Sequence, residues 1–241
     1  MRVVDAIWEK RNLGVDCKEI VIEDSDFITV VKKKELLLLN TPYVVVKVPV
    51  NRFDINTYLS NLGFTYIEGS INFQLRLFEA KLLPLQERLN KVVEYREMES
   101  KDLTGLYTEI HNGLFGTDRI ILDPYFTKEQ AAQRYCNWIA DELERGSQAY
   151  KITYKTDTIG FFTFKQIDEG VFYPFLAGLY KKFESLGMGF TTLRKPIDES
   201  IARGGKMIST YASTNNLPVV RSHTQQGFLL NNLQYVFVKH N

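Results

Sequence analysis

A short loop with two glycines, placed between an apolar strand and a helix, constrains this chain more than any other feature. It lies in LYKKFESLGMGFTTL, where Gly187 and Gly189 are one residue apart. The first N–H groups of a helix lack partners within it, and the helix dipole adds positive potential there. Glycine lets the backbone approach an anion because it has no Cβ. The loop therefore predicts an α/β fold, with either a phosphate site or a simple turn at this point.

Composition and charge narrow the class of protein. The 241 residues, 44% of them hydrophobic, suffice for one large domain or two small ones. The net charge of +1 gives no reason to expect a nucleic-acid partner. Cys17 and Cys136 are too few for a disulfide framework or a cysteine zinc site, and we expect no metal. Residues 1–14 lack the apolar core of a signal peptide, and two prolines and a lysine interrupt the apolar run 35–50. We therefore expect a cytoplasmic protein without a membrane segment.

Hydrophobic periodicity predicts that strands and helices alternate along the chain. Residues 66–77 alternate so regularly that apolar side chains share one face of a strand, while Glu68 and other polar side chains share the opposite face. That polar face must meet solvent or a functional site. The clearest helix begins at a capping box of Thr127 and Gln130 and ends at Gly146.

Weaker patterns predict the remaining elements. Residues 79–90 contain a proline and are interpreted as a connector, and Ser100 is expected to cap the helix that follows. A hairpin is predicted to turn at Thr156 and Asp157. The segment VFYPFLAGL is predicted to form one strand, and residues 228–240 a terminal pair of strands.

The order of these elements resembles the GNAT family of acetyl-CoA-dependent N-acetyltransferases. The loop motif of that family, Gln/Arg-x-x-Gly-x-Gly/Ala, falls on Glu184, Gly187, Met188 and Gly189. Both glycines match, while Glu184 stands where Arg or Gln is usual. The segment STNNLPVVRSHTQQGF matches the last motif of the family. The resemblance covers roughly residues 91–241 and implies a mixed central sheet flanked by helices.

The resemblance also bears on the organisation of the chain. A smaller α/β domain of residues 1–89, with a connector, is expected to precede a GNAT domain of residues 90–241. Pro196 departs from the family pattern because it lies inside the helix expected after the loop. Proline removes a helix hydrogen bond, so this helix should be kinked or shortened.

Acetyl-CoA is the acetyl donor that the resemblance implies. Loop amides, assisted by nearby lysines, would bind its diphosphate, and backbone groups of the preceding strand would pair with its pantetheine arm. One of those strand amides would face the oxyanion. The residues assigned to acetyl-CoA in this way are Phe175, Leu176, Ala177, Leu179, Lys181, Lys182, Gly187, Met188, Gly189, Phe190 and Asn216.

Three further segments, WEKRNLG, NLGFTYIEGSINFQL and DRIILDPYF, are similar to the bacterial dTDP-fucosamine acetyltransferases, a GNAT group with an extra N-terminal domain. This similarity implies acetylation of a small-molecule substrate, the amine of a nucleotide-linked amino-dideoxy sugar, and leaves a homodimer open. It assigns the role of base to Glu68, whose alternative is an ordinary solvated strand residue. Arg119 would bind a diphosphate or carboxylate, with a surface salt bridge as the alternative.

Acyl transfer by direct attack needs a base, a donor to the oxyanion and an acid for the leaving thiolate. Many GNAT enzymes have a tyrosine acid four residues before the final Gly-Phe, and His223 occupies that position here. Histidine titrates near neutral pH, so the exchange is chemically tolerable. A packed or capping histidine is the alternative, and Tyr211 and Tyr235 are fallback acids.

Two other functions are compatible with the sequence. The enzyme could acetylate a peptide or another small-molecule amine. A catalytically degenerate module that only binds acetyl-CoA is the hypothesis from a different class, and the unusual Glu184 and His223 motivate it.

Overall fold

A computed structural model describes the backbone of residues 1–241 and the side chains of residues 1–35 and 37–241. The strands are β1 Arg2–Asp5, β2 Cys17–Val21, β3 Tyr43–Pro49, β4 Thr65–Arg76, β5 Val93–Glu97, β6 Gln148–Tyr154, β7 Asp157–Asp168, β8 Val171–Tyr173, β9 Ala177–Leu179, β10 Met207–Ser213 and β11 Leu229–His240. The helices are α1 Ile7–Leu13, α2 Ile28–Lys33, α3 Glu35–Asn40, α4 Phe53–Asn61, α5 Pro84–Asn90, α6 Ser100–His111, α7 Arg119–Leu122, α8 Lys128–Glu144, α9 Thr191–Ala202 and α10 Leu217–Gln225.

The strands of the described chain form one mixed sheet in the order β1-β2-β3-β11-β4-β10-β8-β7-β6-β5, with β9 paired to β7 outside this path. Most neighbours are antiparallel; β2 with β3 and β8 with β10 are parallel. Helices flank the sheet and bury its apolar side chains. The predicted α/β class, with a mixed central sheet flanked by helices, is confirmed.

Strand β11 lies between β3 and β4, so the last strand of the chain pairs with two strands from its first third. The prediction of a terminal strand pair over residues 228–240 is wrong. The segment forms one strand with a bulge between Leu230 and Asn232, because its partners come from distant sequence rather than from itself. The sheet is therefore continuous across the expected boundary at residues 89 and 90. That division into two domains stays a prediction.

The alternation predicted for residues 66–77 is confirmed in β4. Its apolar face, with Ile71, Phe73 and Leu75 buried, packs into the largest core cluster of the described side chains. Glu68 lies on the opposite face, which lines a cavity rather than open solvent. Because side chains alternate between the two faces of a strand, the polar residues of β4 share the face that lines this cavity.

The segment VFYPFLAGL is not one strand, as predicted, but two. β8 pairs with both β7 and β10, whereas β9 pairs with β7 alone. Between them, Thr163 of β7 bridges the interruption. Its hydroxyl donates to the carbonyl of Leu176 over 3.0 Å and accepts from the amide of Leu176 over 2.8 Å. Pro174, which has no N–H to donate, opens this interruption, and the sheet parts between β9 and β10.

Several helix boundaries correct or confirm the sequence-based predictions. Residues 79–90 are not a mere connector, because Pro84 starts α5 at the first helical position, where proline is favoured. Helix α6 begins at Ser100 itself, so its cap position is Glu99, whose N–H donates to the carboxylate of Asp102. The capping box of Thr127 with Gln130 at the start of α8 is confirmed.

Two further local features differ from or refine the predictions. The hairpin of β6 and β7 turns at Lys155 and Thr156, one residue earlier than predicted, with Lys155 at a positive φ of 55°. Helix α9 is not shortened at Pro196 and continues to Ala202. The hydroxyl of Ser200 donates to the Pro196 carbonyl over 2.8 Å inside this helix.

Candidate functional site

A cavity of about 740 Å³ lies where β4, β10 and β11 meet helices α1, α7 and α8. This volume is in the range of small-molecule sites in proteins. Four residues predicted for the site line it together: Glu68, Arg119, Phe175 and Leu176. Sequence positions separated by more than 100 residues therefore meet at one concave surface.

Glu68 is the buried carboxylate of this cavity. Its side chain is 9% exposed, and no lysine, arginine or histidine among the described side chains comes within ion-pair distance of it. Burial raises the pKa of Glu68, although Ser213 and the charge of Arg119 act in the opposite direction. A carboxylate with a raised pKa holds a proton more readily than a solvated one, which suits a general base near neutral pH.

Arg119 lines the cavity, but its guanidinium is already paired. Its Nη2 donates to Oε1 of Glu9 over 2.7 Å, and Glu9 is fully buried. Arg134 of α8 binds the same carboxylate, to which its Nε and Nη2 donate hydrogen bonds of 2.9 to 3.0 Å. The two arginines hold the pKa of Glu9 below its usual value against the opposing effect of burial. Nε of Arg119 is buried without a partner among the described residues.

Several other charged groups around the cavity are also paired. Lys47 donates to Glu19 over 2.8 Å, and Arg11 donates to Asp141 over 2.7 Å. Glu142 accepts from Lys165 over 2.6 Å, from Arg145 over 3.2 Å and from the Ser147 hydroxyl over 3.1 Å, and its pKa is lowered although burial opposes this. These pairs leave few free charges facing the cavity.

Aromatic side chains form much of the remaining wall. Trp138 of α8 packs on Phe175 with ring centroids 5.5 Å apart, and Trp8 of α1 lies on another side. Tyr173 and Tyr211 meet edge to face at 6.1 Å, and Tyr211 is 58% exposed. The helical pattern predicts a core position for Trp138, and no sequence pattern singles out Trp8 or Tyr173. Whether these side chains line a cavity depends on which faces of the helices and the sheet meet, and contacts between residues distant in sequence determine that.

The gap between β9 and β10 opens at the Phe175 end of the cavity. On either side of β9, Tyr180 donates its amide to Ile159, and Leu176 exchanges hydrogen bonds with Thr163, so the backbone groups of these two residues face β7. Alternate residues of a strand direct their backbone groups to opposite edges. The N–H and C=O groups of Ala177 and Leu179 therefore face the open edge, whereas those of Leu176 do not.

The glycine loop connects a 3₁₀ turn, Lys181–Leu186, to α9. Gly187 has a positive φ of 68°, which L-residues rarely adopt. In the described chain, no backbone acceptor is found for the amides of residues 187–190. No atom lies within 4 Å of where a Cβ would be at Gly187 or Gly189. The loop thus presents unpaired N–H groups beside open space, while the side chains of Met188 and Phe190 are buried.

The two lysines beside the loop are exposed. Lys181 donates to the carbonyl of Asn112 over 2.8 Å, and the ammonium of Lys182 lies 5.2 Å from the ring centroid of Phe183. Asn216 caps α10 by accepting the amide of Val219 over 3.3 Å. None of these groups lines the cavity.

His223 does not line the cavity either. Its ring stacks on Phe73 at 4.6 Å, and Nδ1 lies 2.8 Å from the carbonyl of Val219. Nδ1 therefore donates, and Nε2 is left as a buried lone pair without a partner in the described structure. Burial lowers the pKa of His223 to about 4. A neutral imidazole in this tautomer has no proton at Nε2 to give at neutral pH.

The mixed sheet, with an open strand edge between a loop of free amides and a cavity, is a fold found among solved structures. The fold is that of the GCN5-related N-acetyltransferases, the GNAT superfamily. No family model and no curated protein matches the sequence. The comparisons that do succeed are with solved structures.

The chain is similar to a GCN5-related N-acetyltransferase from Sphaerobacter thermophilus, with a TM-score of 0.63 and 11% identity over 99% of this chain and 75% of that one. It is also similar to a tandem GNAT protein of the clavulanic acid biosynthesis pathway, with a TM-score of 0.57 and 9% identity over 94% and 76% of the two chains. A third structure is the GCN5-related glucosamine N-acetyltransferase region of a fungal multi-domain GH3 β-N-acetylglucosaminidase. Its TM-score is 0.67 at 8% identity, over 99% of this chain and 31% of that one.

These comparisons establish the fold and leave the finer assignment open. Identities of 8 to 11% do not carry a substrate or a catalytic residue from one chain to another. The resemblance to dTDP-fucosamine acetyltransferases stays a prediction. Among the residues that the structure describes, no helix combines the length and apolar character needed to cross a bilayer.

Proposed function

We propose that this protein transfers the acetyl group of acetyl-CoA to the amine of a small molecule held in the cavity. The observation that carries the proposal is the open edge of β9, which leads from the loop of free amides to the cavity that contains Glu68. An extended amide-containing chain can pair with such an edge, and its reactive end would then reach the cavity.

The chain has groups suited to each part of acetyl-CoA. The free amides of residues 187–190 would bind the diphosphate, and Lys181 and Lys182 would add positive charge. Ala177 and Leu179 would pair with the amides of the pantetheine arm. Side chains of Phe175 and Leu176 would flank its end, and Asn216, which caps α10, would contribute a neutral amide rather than a charge. Bound acetyl-CoA supplies the activated thioester.

Glu68 would take the proton of the acceptor ammonium, directly or through a water molecule. The freed amine attacks the thioester carbon, a C–N bond forms, the C–S bond breaks and the thiolate takes up a proton. The amide of Ala177, on the open edge, is placed to donate to the oxyanion better than that of Leu176, which Thr163 occupies. His223 was predicted as the acid, but its tautomer and low pKa make Tyr211 or water the better proton donor.

Binding of acetyl-CoA can be tested by thermal denaturation. A ligand that binds only the folded state raises the melting temperature. Saturating CoA or acetyl-CoA should raise it for the wild type and much less for Gly187→Glu, whose carboxylate would repel the diphosphate. Gly204→Glu is the matched control, because Gly204 is also exposed, has a φ of 71° and has no atom within 4 Å of where a Cβ would be. Equal shifts for both variants would remove the loop from the proposal.

Catalysis can be tested by release of free thiol from acetyl-CoA with a panel of amines. Thiol release that depends on an amine supports the enzyme. Stabilisation by acetyl-CoA without thiol release from any amine would instead support the degenerate binding module. Clear preference for a peptide amine would instead support an acetyltransferase that acts on peptides.

A narrower proposal follows from the sequence similarity alone, in which the acceptor is a dTDP-linked amino-dideoxy sugar. It needs Arg119 to bind the diphosphate, so Arg119→Ala should impair use of the nucleotide sugar more than use of a simple amine. A homodimer and a reaction without metal also remain proposals, which light scattering and activity in a chelator would test.

A further inference from the structure

The cavity has almost no cation left to bind a phosphate. Arg119 and Arg134 share the buried carboxylate of Glu9, and Lys47 is paired with Glu19 at 2.8 Å. Arg145 is paired with Glu142 at 3.2 Å. Because each of these cations already lies beside a carboxylate, its positive charge is largely balanced and adds little attraction for a phosphate.

Arg2 is the exception among the cavity-lining cations. It has no carboxylate within ion-pair distance in the described structure, but it is exposed on edge strand β1 at the rim. Opposing it, Glu68 is an unpaired carboxylate in the buried part of the cavity. One exposed arginine and one unpaired buried carboxylate favour a cation deep in the cavity and give little affinity for a dianion.

The hydrogen-bonding groups that remain free are neutral. Ser70 of β4 and Asn232 and Gln234 of β11 line the cavity, and their side chains have no hydrogen-bond partner among the described residues. Asn72 lies on the same floor but is occupied, because it donates to the Ser209 hydroxyl and accepts from Asn231. Free amides and hydroxyls both donate and accept, and hydroxyl groups of a ligand match that pattern.

The walls suit the apolar face of a ring. Trp8 and Trp138 both line the cavity, and Trp138 is held in place by Phe175 at 5.5 Å. A ligand for this site would therefore combine one ammonium group, several hydroxyls and a C–H face. Such a combination is an amino sugar, and the absence of free buried cations among the described residues argues against an attached phosphate.

We propose that the acceptor is an amino sugar that carries neither a phosphate nor a nucleotide, with its amine at Glu68, hydroxyls at Asn232 and Gln234, and ring against the tryptophans. This inference rests on the proposed acetyltransferase function and narrows it. It opposes the dTDP-linked acceptor, because the positive charge of Arg119 that would attract the diphosphate is already balanced by Glu9.

The first test is thiol release with matched acceptors: a hexosamine, its 6-phosphate, its dTDP-linked form and propylamine. We expect kcat/KM for the free hexosamine to exceed that for each phosphorylated form at least about tenfold, since specificity built on unpaired polar groups reaches this size. A higher kcat/KM for the 6-phosphate or the dTDP-linked form overturns the inference and leaves the acetyltransferase intact. No thiol release from any amine overturns the proposed function as well.

The second test uses the double variant Asn232→Ala with Gln234→Ala. It should lower kcat/KM for the hexosamine about tenfold or more and leave that for propylamine unchanged, because propylamine has no hydroxyl for these amides to bind. Gln133→Ala, an exposed amide of α8 outside the cavity, is the control and should change neither value. Equal losses for hexosamine and propylamine would show that the amides do not recognise hydroxyls and overturn the inference. Undiminished stabilisation by CoA verifies that each variant is folded.

Discussion

At the scale of single residues, the cavity depends on one carboxylate that has no counter-ion. The sequence predicts that Glu68 lies on the polar face of an alternating strand, but it does not predict that Glu68 is buried. The sequence allowed a solvated glutamate equally well, because alternation specifies a face and not what covers it. The cover comes from α1, α7 and α8, which reach the cavity through Trp8, Arg119 and Trp138.

Glu68→Gln should lower kcat about 10²- to 10⁴-fold and leave stabilisation by acetyl-CoA unchanged, since it keeps the shape and removes the base. In the wild type, the basic form is the carboxylate. Because burial raises its pKa above the ordinary 4.5, the rate should fall as pH drops through that raised pKa. Glu144→Gln, on the exposed last turn of α8, is the control. A pH–rate profile for Glu68→Gln equal to that of the wild type would make Glu68 a structural residue.

His223→Phe should make the fold less sensitive to acid. The unfolded chain protonates its histidine near pH 6.5, whereas in the folded chain the pKa is about 4. A depressed histidine pKa means that stability is lost as pH falls from 6.5 towards 4, by at most about 3 kcal/mol. Phenylalanine can still stack on Phe73, but it has no group that takes up a proton in the unfolded chain. Urea unfolding at pH 7.5, 5.5 and 4.5 measures the difference, and parallel pH dependence of both proteins would contradict it.

At the scale of elements, strong hydrophobic periodicity predicted helices and strands correctly, whereas the pairing of strands distant in sequence could not be predicted. The start of α8, with Thr127 and Gln130, and the alternation of β4 were predicted because local residues determine them. The break at Pro174 was missed because β-branched and aromatic neighbours favour a strand on either side of it. The hydroxyl of Thr163, which stabilises that break, lies 13 residues away from Leu176 in the sequence.

Contacts between residues distant in sequence also explain which surroundings of the predicted site residues could not be foreseen. Arg119 was predicted near the substrate, and it does line the cavity, but its partner Glu9 lies 110 residues earlier. His223 was assigned by its position before Gly227, and only the packing of Phe73 shows that it faces the core. Spacing within a motif identifies the position of a residue along a helix, whereas the strand packed against the helix determines which side chains that residue contacts.

Thr163→Val should disturb the parting of the sheet. Valine keeps the volume of this fully buried side chain but leaves the amide of Leu176 without its acceptor, which costs roughly 1–3 kcal/mol. Thr163→Ser keeps the hydroxyl and serves as the control. We expect Thr163→Val to unfold at lower urea concentration and to show weaker stabilisation by acetyl-CoA. If valine and serine behave alike in both measurements, the hydroxyl does not hold the interruption between β8 and β9.

At the scale of the whole molecule, one buried ion cluster ties the start of the chain to its middle. Glu9 of α1 is fully buried between Arg119 of α7 and Arg134 of α8. Removing one member of such a cluster leaves an uncompensated charge in a medium of low polarity. The cluster also forms part of the cavity wall, so stability and the shape of the site depend on the same three residues.

Glu9→Gln should therefore lower the free energy of unfolding by about 3–5 kcal/mol, with little dependence on salt. Asp16→Asn is the matched control, because its ion pair with Lys10 is 65% exposed on both sides and should contribute less than about 1 kcal/mol. Urea unfolding at low and at high NaCl concentration separates the two. A Glu9→Gln effect as small as that of Asp16→Asn would mean that the arginines find other partners.

The order of strands in the sheet bears on whether the two parts of the chain can fold separately. β11 lies between β3 and β4, and β4 lies between β11 and β10, so each part of the chain on either side of residue 89 places a strand inside the sheet of the other. Separating them would expose long rows of unpaired backbone N–H and C=O groups along both β4 and β11, which favour aggregation or unfolding. The two sequence regions can be distinguished by composition and resemblance and still be unable to fold apart.

Fragments 1–89 and 90–241, expressed separately, should each lack a cooperative thermal transition, and mixing or co-expressing them should restore one. The reason is that β11 pairs only with strands of the other fragment. It pairs with β3 from Gln234↔Pro49 to His240↔Tyr43, and with β4 from Leu229↔Gln74 to Val238↔Thr65. The intact chain, carried through the same preparation, is the control. Calorimetry and far-UV circular dichroism of each fragment decide the matter. If 90–241 alone unfolds cooperatively and is stabilised by acetyl-CoA, it is an independent domain, and the interleaved strands contribute to the cavity but not to folding.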